Sequence, residues 1–283
     1  MAITIQTYKI LKHLHKEILN FGEILSLGRL DIIISKRDFK KYHIPFTTNK
    51  FANNDYFFDF KFNNFKSLDV SSFEKADIIH DLNEPIKNHI AEFDTVIDVG
   101  TSEHVFNIVQ SLKNISNLCK INGHIIHCLP ANNNCGHGFW QFSPELFFQL
   151  YKEKNGYANT EVFLIDMLEK DKFYKVKNYT YEERLEFNSN VPLYILVKTK
   201  KTSVNNSNEV FQSDYENLWD NRKNPNSTKK NILSKYYKNL RNAYTEKLKN
   251  LPFFVNIFSK KQELKFYKKK NFLKSKFITR FKI

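Results

Sequence analysis

Between residues 93 and 130 the hydrophobic period of the chain changes twice. Apolar positions dominate residues 95–99, the length of a buried strand, then recur at three- and four-residue spacing over 105–118. After Asn122-Gly123, a turn pair, they run together again over 124–129. The pattern predicts strand, loop, helix, turn and strand, which is a βαβ unit. Such a unit requires a parallel sheet covered by helices, and open sheets of that kind bind ligands at the carboxyl ends of their strands. The loop Gly100-Thr101-Ser102-Glu103-His104 occupies that position after the first strand of the unit.

The same reading extends the sheet in both directions. Residues 5–19 carry apolar side chains at helical spacing and predict a leading helix, and 23–27 predict a strand that ends at Gly28. Strands are expected over 65–70, with Asp69 at its end, and over 76–80, followed by Asp81. Ser143, Pro144 and Glu145 supply an N-cap hydroxyl, a first-turn proline and an early acid for a helix to about residue 153. Two more strands are expected over 162–167 and 191–198. Residues 35–65, irregular and rich in Phe, Asn and Lys around Pro45, read as an insertion or lid with some helix, and 205–208 as a linker. The expected organisation is an α/β domain over 1–204 and a linker with a basic, helical tail over 205–283.

Charge separates the same two parts. The net charge of +14 over 283 residues belongs to the tail: 221–283 holds 19 Lys and Arg against two acids, while 1–220 holds 25 basic and 28 acidic residues. A near-neutral domain is unlike a compact nucleic-acid enzyme, whose positive side chains line the face carrying the site. In the tail, Ile232, Leu233, Tyr236, Tyr237, Leu240, Ala243, Tyr244 and Leu248 predict an amphipathic helix over 229–249. Lysines interleaved with Phe, Leu and Ile follow it, a composition that suits an anionic membrane surface and would also attract a nucleic-acid backbone. Three cysteines, Cys119, Cys128 and Cys135, match no disulfide framework, and neither a signal-like apolar core nor a membrane-spanning run is present. A cytoplasmic protein is expected, its tail either lying at the inner membrane face or forming a solvated extension that packs on the domain or a partner subunit.

Asp69, Asp81 and Asp98 end three successive strands and so share one edge of the sheet, where carboxylates accept hydrogen bonds from sugar hydroxyls or an exocyclic amine. Together with strand-Gly28, FDTVIDVGTSEHV, LCKINGHIIHCLP and His137 ahead of FSPELF, this order resembles the class I S-adenosylmethionine-dependent methyltransferases over residues 21–198. The most specific part is Glu103-His104-Val105 paired with the later Leu-x-Lys-x-x-Gly-His-Ile-Ile-x-x-x-Pro, which is similar to the family's EHV…LKPGG…P run. The resemblance implies a Rossmann-like, seven-stranded, mostly parallel sheet with helices on both faces and an antiparallel strand over 191–198. It also implies S-adenosyl-L-methionine as cofactor, with Gly28 and Arg29 at its methionine part, Asp69 on the ribose, Asp81 on the adenine amine and Leu82 on the adenine face. Asp98 and Thr101 complete the implied cofactor set. Arg29 and Leu30 stand where the family has a glycine-rich loop.

Methyl transfer asks the protein to align an acceptor and, for a hydroxyl, to remove its proton, a task suited to histidine. His104, His137 and Glu103 are the candidates, His104 and Glu103 in the loop after the fourth strand and His137 in the polar loop after the fifth. His127, inside a strand, reads as a core histidine. Cys119, His124, Cys128, Cys135 and His137 lack the spacing of a zinc site, so no metal is expected. Trp140, Phe139 and Phe142 read as aromatics buried under the sheet edge. The loop CGHGFWQFSPELFF is similar to those of methyltransferases in surface-glycan pathways, which implies a small-molecule or lipid-linked saccharide acceptor. An RNA methyltransferase and a non-catalytic binding protein are the alternatives.

Overall fold

A computed structural model describes residues 2–178, 189–204 and 210–213, positions 185, 215 and 219, and the strand 278–281. The chain divides into two compact units. One comprises Met1–Lys177, Asn190–Val210 and Thr279–Ile283, the other Asn178–Ser189 and Phe211–Ile278. The expected linker at 205–208 and tail helix at 229–249 lie outside the described residues.

The strands are β1 (Ala2–Ile3), β2 (Glu23–Leu27), β3 (Asp31–Ile32), β4 (Asn64–Asp69), β5 (Ile78–Ile79), β6 (Phe93–Val99), β7 (Cys119–Asn132), β8 (Tyr157–Asp166), β9 (Phe173–Val176), β10 (Leu193–Lys201) and β11 (Ile278–Phe281). The helices are α1 (Ile5–Ile18), α2 (Lys36–Lys41), α3 (Ile108–Leu118) and α4 (Pro144–Leu150). The main sheet runs β11-β9-β8-β10-β7-β6-β2-β4-β5, with β1 and β3 paired separately. β5, β4, β2, β6 and β7 are mutually parallel, and β10 lies antiparallel between β7 and β8. The expected mostly parallel sheet is thus present, with eight strands from the segment up to Lys201 where seven were expected. The additional one, β9, extends the antiparallel side by pairing with β8. Its Phe-Tyr-Lys-Val is too short to give a period of its own.

Local chemistry sets the element ends. The Thr4 hydroxyl accepts from Thr7 N at the start of α1, and Leu19 at φ 65° ends it. Asn122-Gly123, expected as a turn, is an irregularity inside one long strand: Asn122 takes φ 69°, and the pairing of β6 with β7 jumps from Phe93↔Cys119 to Thr95↔His124. The core under the sheet is unusually aromatic. Tyr8 of α1, Phe21, Phe57, Phe58, Phe60 and Phe65 are buried and pack ring on ring, with neighbouring centroids such as Phe57–Phe65 at 5.0 Å and Tyr8–Phe58 at 4.9 Å. Phe39, Phe57, Phe58, Phe60 and Phe65 of the 35–65 segment therefore belong to the core, whereas Phe46 is exposed, and the helix expected there is α2.

Candidate functional site

Four loops at the carboxyl edge of the parallel strands enclose a cavity of about 430 Å³, lined by Gly28, Leu68, Asp69, Val70, His80, Asp81, Leu82, Asn83, Thr101, His104 and Val105. Gly28 ends β2 at φ +72°, where a side chain is strained, and its N–H donates to Leu68 O at 2.6 Å. The Thr101 hydroxyl donates to Leu27 O at 2.6 Å, tying the end of β2 to the loop after β6. On the opposite wall α3 holds the loop after β5. Asn114 donates to Leu82 O and Glu84 O at 3.1 and 2.8 Å and accepts from Ile86 N at 3.0 Å, while Asn107 N donates to Asn83 Oδ1 at 2.9 Å. A buried asparagine on the apolar face of a helix was the sequence signal for this clamp.

The expected cofactor residues divide by position. Gly28, Asp69, Asp81, Leu82 and Thr101 all line the cavity, and so does His104. Hydrogen bonds from the backbone and side chain of Asn83 hold the Asp81 carboxyl below its ordinary range, which keeps it ionised. Arg29 points elsewhere: its guanidinium lies 4.7 Å from the Phe51 ring centroid, donates to Lys75 O and lines a separate depression of about 310 Å³. The reason is the course of the chain after β2. Leu30 is buried in the core and leads into β3, which pairs with β1, so no helix begins at this loop.

Asp98 is buried beneath the loop and does not line the cavity. Its carboxylate accepts from Ser102 N at 3.2 Å and Ser102 Oγ at 2.6 Å and meets His127 Nδ1 at 2.8 Å, while His127 Nε2 lies 2.6 Å from the Tyr151 hydroxyl. All four side chains are buried. His127, the expected core histidine, occupies the centre of that network.

Glu103 is buried to 0 % exposure, and neither of its carboxyl oxygens has a hydrogen-bond partner among the described residues. Burial, with the Asp98 charge adding to it, pushes its pKa up to about 8. Oε1 lies 3.4 Å from His137 Nε2 and 3.9 Å from His104 Nε2, and the two imidazoles meet edge to face at 5.0 Å. Burial, then His137, lowers the pKa of His104. The expected catalytic residues thus form one cluster, although 33 positions separate His104 from His137.

Gly138 makes this meeting possible. It sits at φ +74° against Glu103, where a Cβ would lie 2.7 Å from Glu103 O, and the next residue, Phe139, donates its N–H to that carbonyl at 2.7 Å. The Trp140 indole N–H donates to Val105 O at 2.9 Å. Of the aromatics expected to be buried, Phe142 is, whereas Phe139 is 67 % exposed and pairs edge to face with exposed Phe106 at 5.8 Å.

No protein-family model matches the chain, and no curated protein does. Among solved structures, the chain is similar to a candidate methyltransferase of Bacillus halodurans C-125, at 12% identity and TM-score 0.36 over 68% of this chain and 99% of the other. A SAM-dependent methyltransferase of Thermotoga maritima aligns at 14% identity and TM-score 0.35 over 70% and 91%. The branched-chain polyamine synthase of Thermus thermophilus, solved with N4-aminopropylspermidine and 5'-methylthioadenosine, aligns at 11% identity and TM-score 0.33 over 74% and 58%.

Proposed function

We propose that this chain is an S-adenosylmethionine-dependent methyltransferase that methylates a hydroxyl of a saccharide or related small molecule. The observation that carries the reading is the convergence of Gly28, Asp69, Asp81, Leu82 and Thr101 on one cavity of nucleoside size. Two carboxylates suit ribose hydroxyls, an exocyclic amine and a cationic ligand. The loop after β2 opens no helix, and it therefore lacks the amide cradle that a nucleotide's phosphates need, whereas a nucleoside sulfonium needs none.

When bound, S-adenosylmethionine supplies an electrophilic methyl group on its sulfonium. The chain's own residues hold the ribose through Asp69 and the adenine edge through Asp81, with Leu82 against the ring. His104, which lines the cavity, and His137 beside it carry ring nitrogens suited to receiving the acceptor's proton. Glu103, with its raised pKa, is largely protonated at pH 7 and supports them from below. The exposed Phe106–Phe139 pair offers an apolar face to a sugar ring.

Calorimetric titration of the full chain with S-adenosylhomocysteine tests the reading. Saturable one-to-one binding is expected, and no heat at millimolar ligand would overturn it. The basic segment 221–283 would keep the enzyme near lipid-linked acceptors. Among the described residues no helix is long and apolar enough to cross a membrane. Because β11 contributes to the sheet, charge reversal at Lys260, Lys261, Lys265 and Lys268 is a cleaner test than truncation. Loss of sedimentation with anionic vesicles is expected, and unchanged sedimentation would sink the surface role.

A further inference from the structure

We propose that Glu103, His104 and His137 form a binding site for one divalent first-row transition ion of the Zn²⁺, Fe²⁺, Mn²⁺ or Co²⁺ class, next to the cavity at the carboxyl edge of the sheet. Each residue offers one ligand atom, and the three atoms lie within 4.8 Å of one another. Ligands bonded at about 2.0–2.1 Å to a tetrahedral ion stand about 3.3 Å apart. The separations of 3.4 and 3.9 Å from Glu103 Oε1 to the two Nε2 atoms are near that spacing, and rotation of the two half-exposed imidazoles, whose ligand atoms lie within 4.8 Å of each other, would bring the third to it.

Burial supplies an independent reason. A carboxyl group withdrawn from water with no donor on either oxygen is costly, and a cation directly in front of it removes that cost. The two imidazoles are 50% and 48% exposed, so the ion would be held from below by Glu103 and from the sides by rings that reach solvent. Three protein ligands and an open face are the arrangement of an ion that binds a further group. Two nitrogens with one carboxylate suit a transition ion better than Mg²⁺ or Ca²⁺, which take oxygen ligands.

The site is also built and not a chance approach of surface side chains. Gly138 packs on the Glu103 backbone, and Phe139 N and Trp140 N both donate to Glu103 O, at 2.7 and 3.3 Å, fixing the loop that carries His137 over the carboxyl group. Ion binding at these three side chains does not require the cavity to take a nucleoside. With an ion seated, a hydroxyl reaching its open face would be acidified by the metal in place of a free imidazole.

The test uses untagged full-length protein carrying C135S, which removes the exposed thiol two residues from His137. After chelation, Co²⁺ is titrated while its visible ligand-field bands are followed, and Zn²⁺ is titrated by calorimetry. One equivalent of each is expected, with Co²⁺ absorption of a nitrogen- and oxygen-ligated ion. Glu103→Gln, His104→Ala and His137→Ala should each weaken uptake roughly tenfold or more. Glu103→Gln preserves shape and the two histidines are half exposed, so circular dichroism melts should confirm folding. Absence of saturable uptake at millimolar ion overturns the proposal, as does unchanged uptake in the folded His104→Ala/His137→Ala variant. S-adenosylhomocysteine titration of the same samples reads the nucleoside pocket separately.

Discussion

Asp98 resembles a ligand residue in sequence and a structural one in space, and its substitution by asparagine separates the two. The carboxylate takes three donors: Ser102 N on Oδ1, and Ser102 Oγ and His127 Nδ1 on Oδ2. An amide of the same shape keeps one acceptor oxygen and turns an NH₂ group toward a donor, so at least one of the three bonds is replaced by a donor facing a donor. Hydrogen bonds to charged groups contribute about 1.5–3 kcal/mol each, and breaking a buried pair from one side costs about 3–5 kcal/mol. With both partners fully buried, Asp98→Asn should destabilise the protein by about 3–5 kcal/mol. For a chain of this size that lowers Tm by roughly 6–20 °C. Differential scanning calorimetry measures the shift, and S-adenosylhomocysteine titration well below the lowered Tm measures affinity in the folded protein. Affinity should change less than threefold, because the loop keeps its Thr101–Leu27 tie. A variant that melts with wild type while its affinity collapses would falsify this placement and return Asp98 to the ligand.

Asp69→Asn should weaken S-adenosylhomocysteine by roughly 10- to 150-fold, the loss of one hydrogen bond to a charged acceptor, with Tm held within a few degrees; calorimetric affinity checks it. Gly138→Ala puts a methyl group 2.7 Å from Glu103 O at a left-handed φ that costs a non-glycine residue about 1–2 kcal/mol. The His137 loop should lift, with a red shift of tryptophan emission as Trp140 loses Val105 O; an unchanged spectrum contradicts the packing. His124, held down to about 4 by burial and by Lys200 and Lys198, stays neutral in the fold while the unfolded chain takes a proton near pH 6.5. Stability is therefore full above pH 6.5 and falls between about pH 6.5 and 4, by up to about 2 kcal/mol after allowance for the ring's partial exposure. Urea melts of His124→Gln across that window should show a flatter slope than wild type.

What the chain reveals without a structure depends on the range over which each signal acts. Strand β2 is readable to the residue and α1 to within one residue of its end, because apolar spacing and a cap lie within a few positions of the effect they cause. Asn122-Gly123 misleads for the same reason: the pair has turn chemistry, but pairing with β6 at Cys119 before it and with β6 and β10 from His124 after it keeps the chain extended and absorbs the positive φ as an irregularity. The Phe-rich stretch is harder still. No period marks 57–65 as core, since its rings pack from an irregular backbone onto Tyr8 and Phe21, partners more than 30 residues away.

The site repeats that division and explains its own hidden half. Asp69 ends the parallel strand β4 and Asp81 follows the parallel strand β5 by two residues, so both line the cavity, and strand ends can be counted along a sequence. Asp98 lies one residue before the end of β6, yet it sits in the middle of the sheet, where β7 supplies His127 in direct register with it and draws the carboxylate down among buried partners. Position along a strand is local information; position across the sheet is not. The meeting of Glu103 with His137 goes one step further, because it depends on Gly138 adopting a conformation that only its contact with the Glu103 backbone requires. In a loop with two glycines the sequence does not distinguish the one that provides freedom from the one that is pressed against the backbone of Glu103. A Cβ at Gly136 would meet nothing within 4 Å, while one at Gly138 would lie 2.7 Å from a carbonyl oxygen. Gly136→Ala should therefore leave the cluster intact where Gly138→Ala opens it, and equal effects of the two on Trp140 emission would show that the loop, and not this contact, sets the distance between Glu103 and His137.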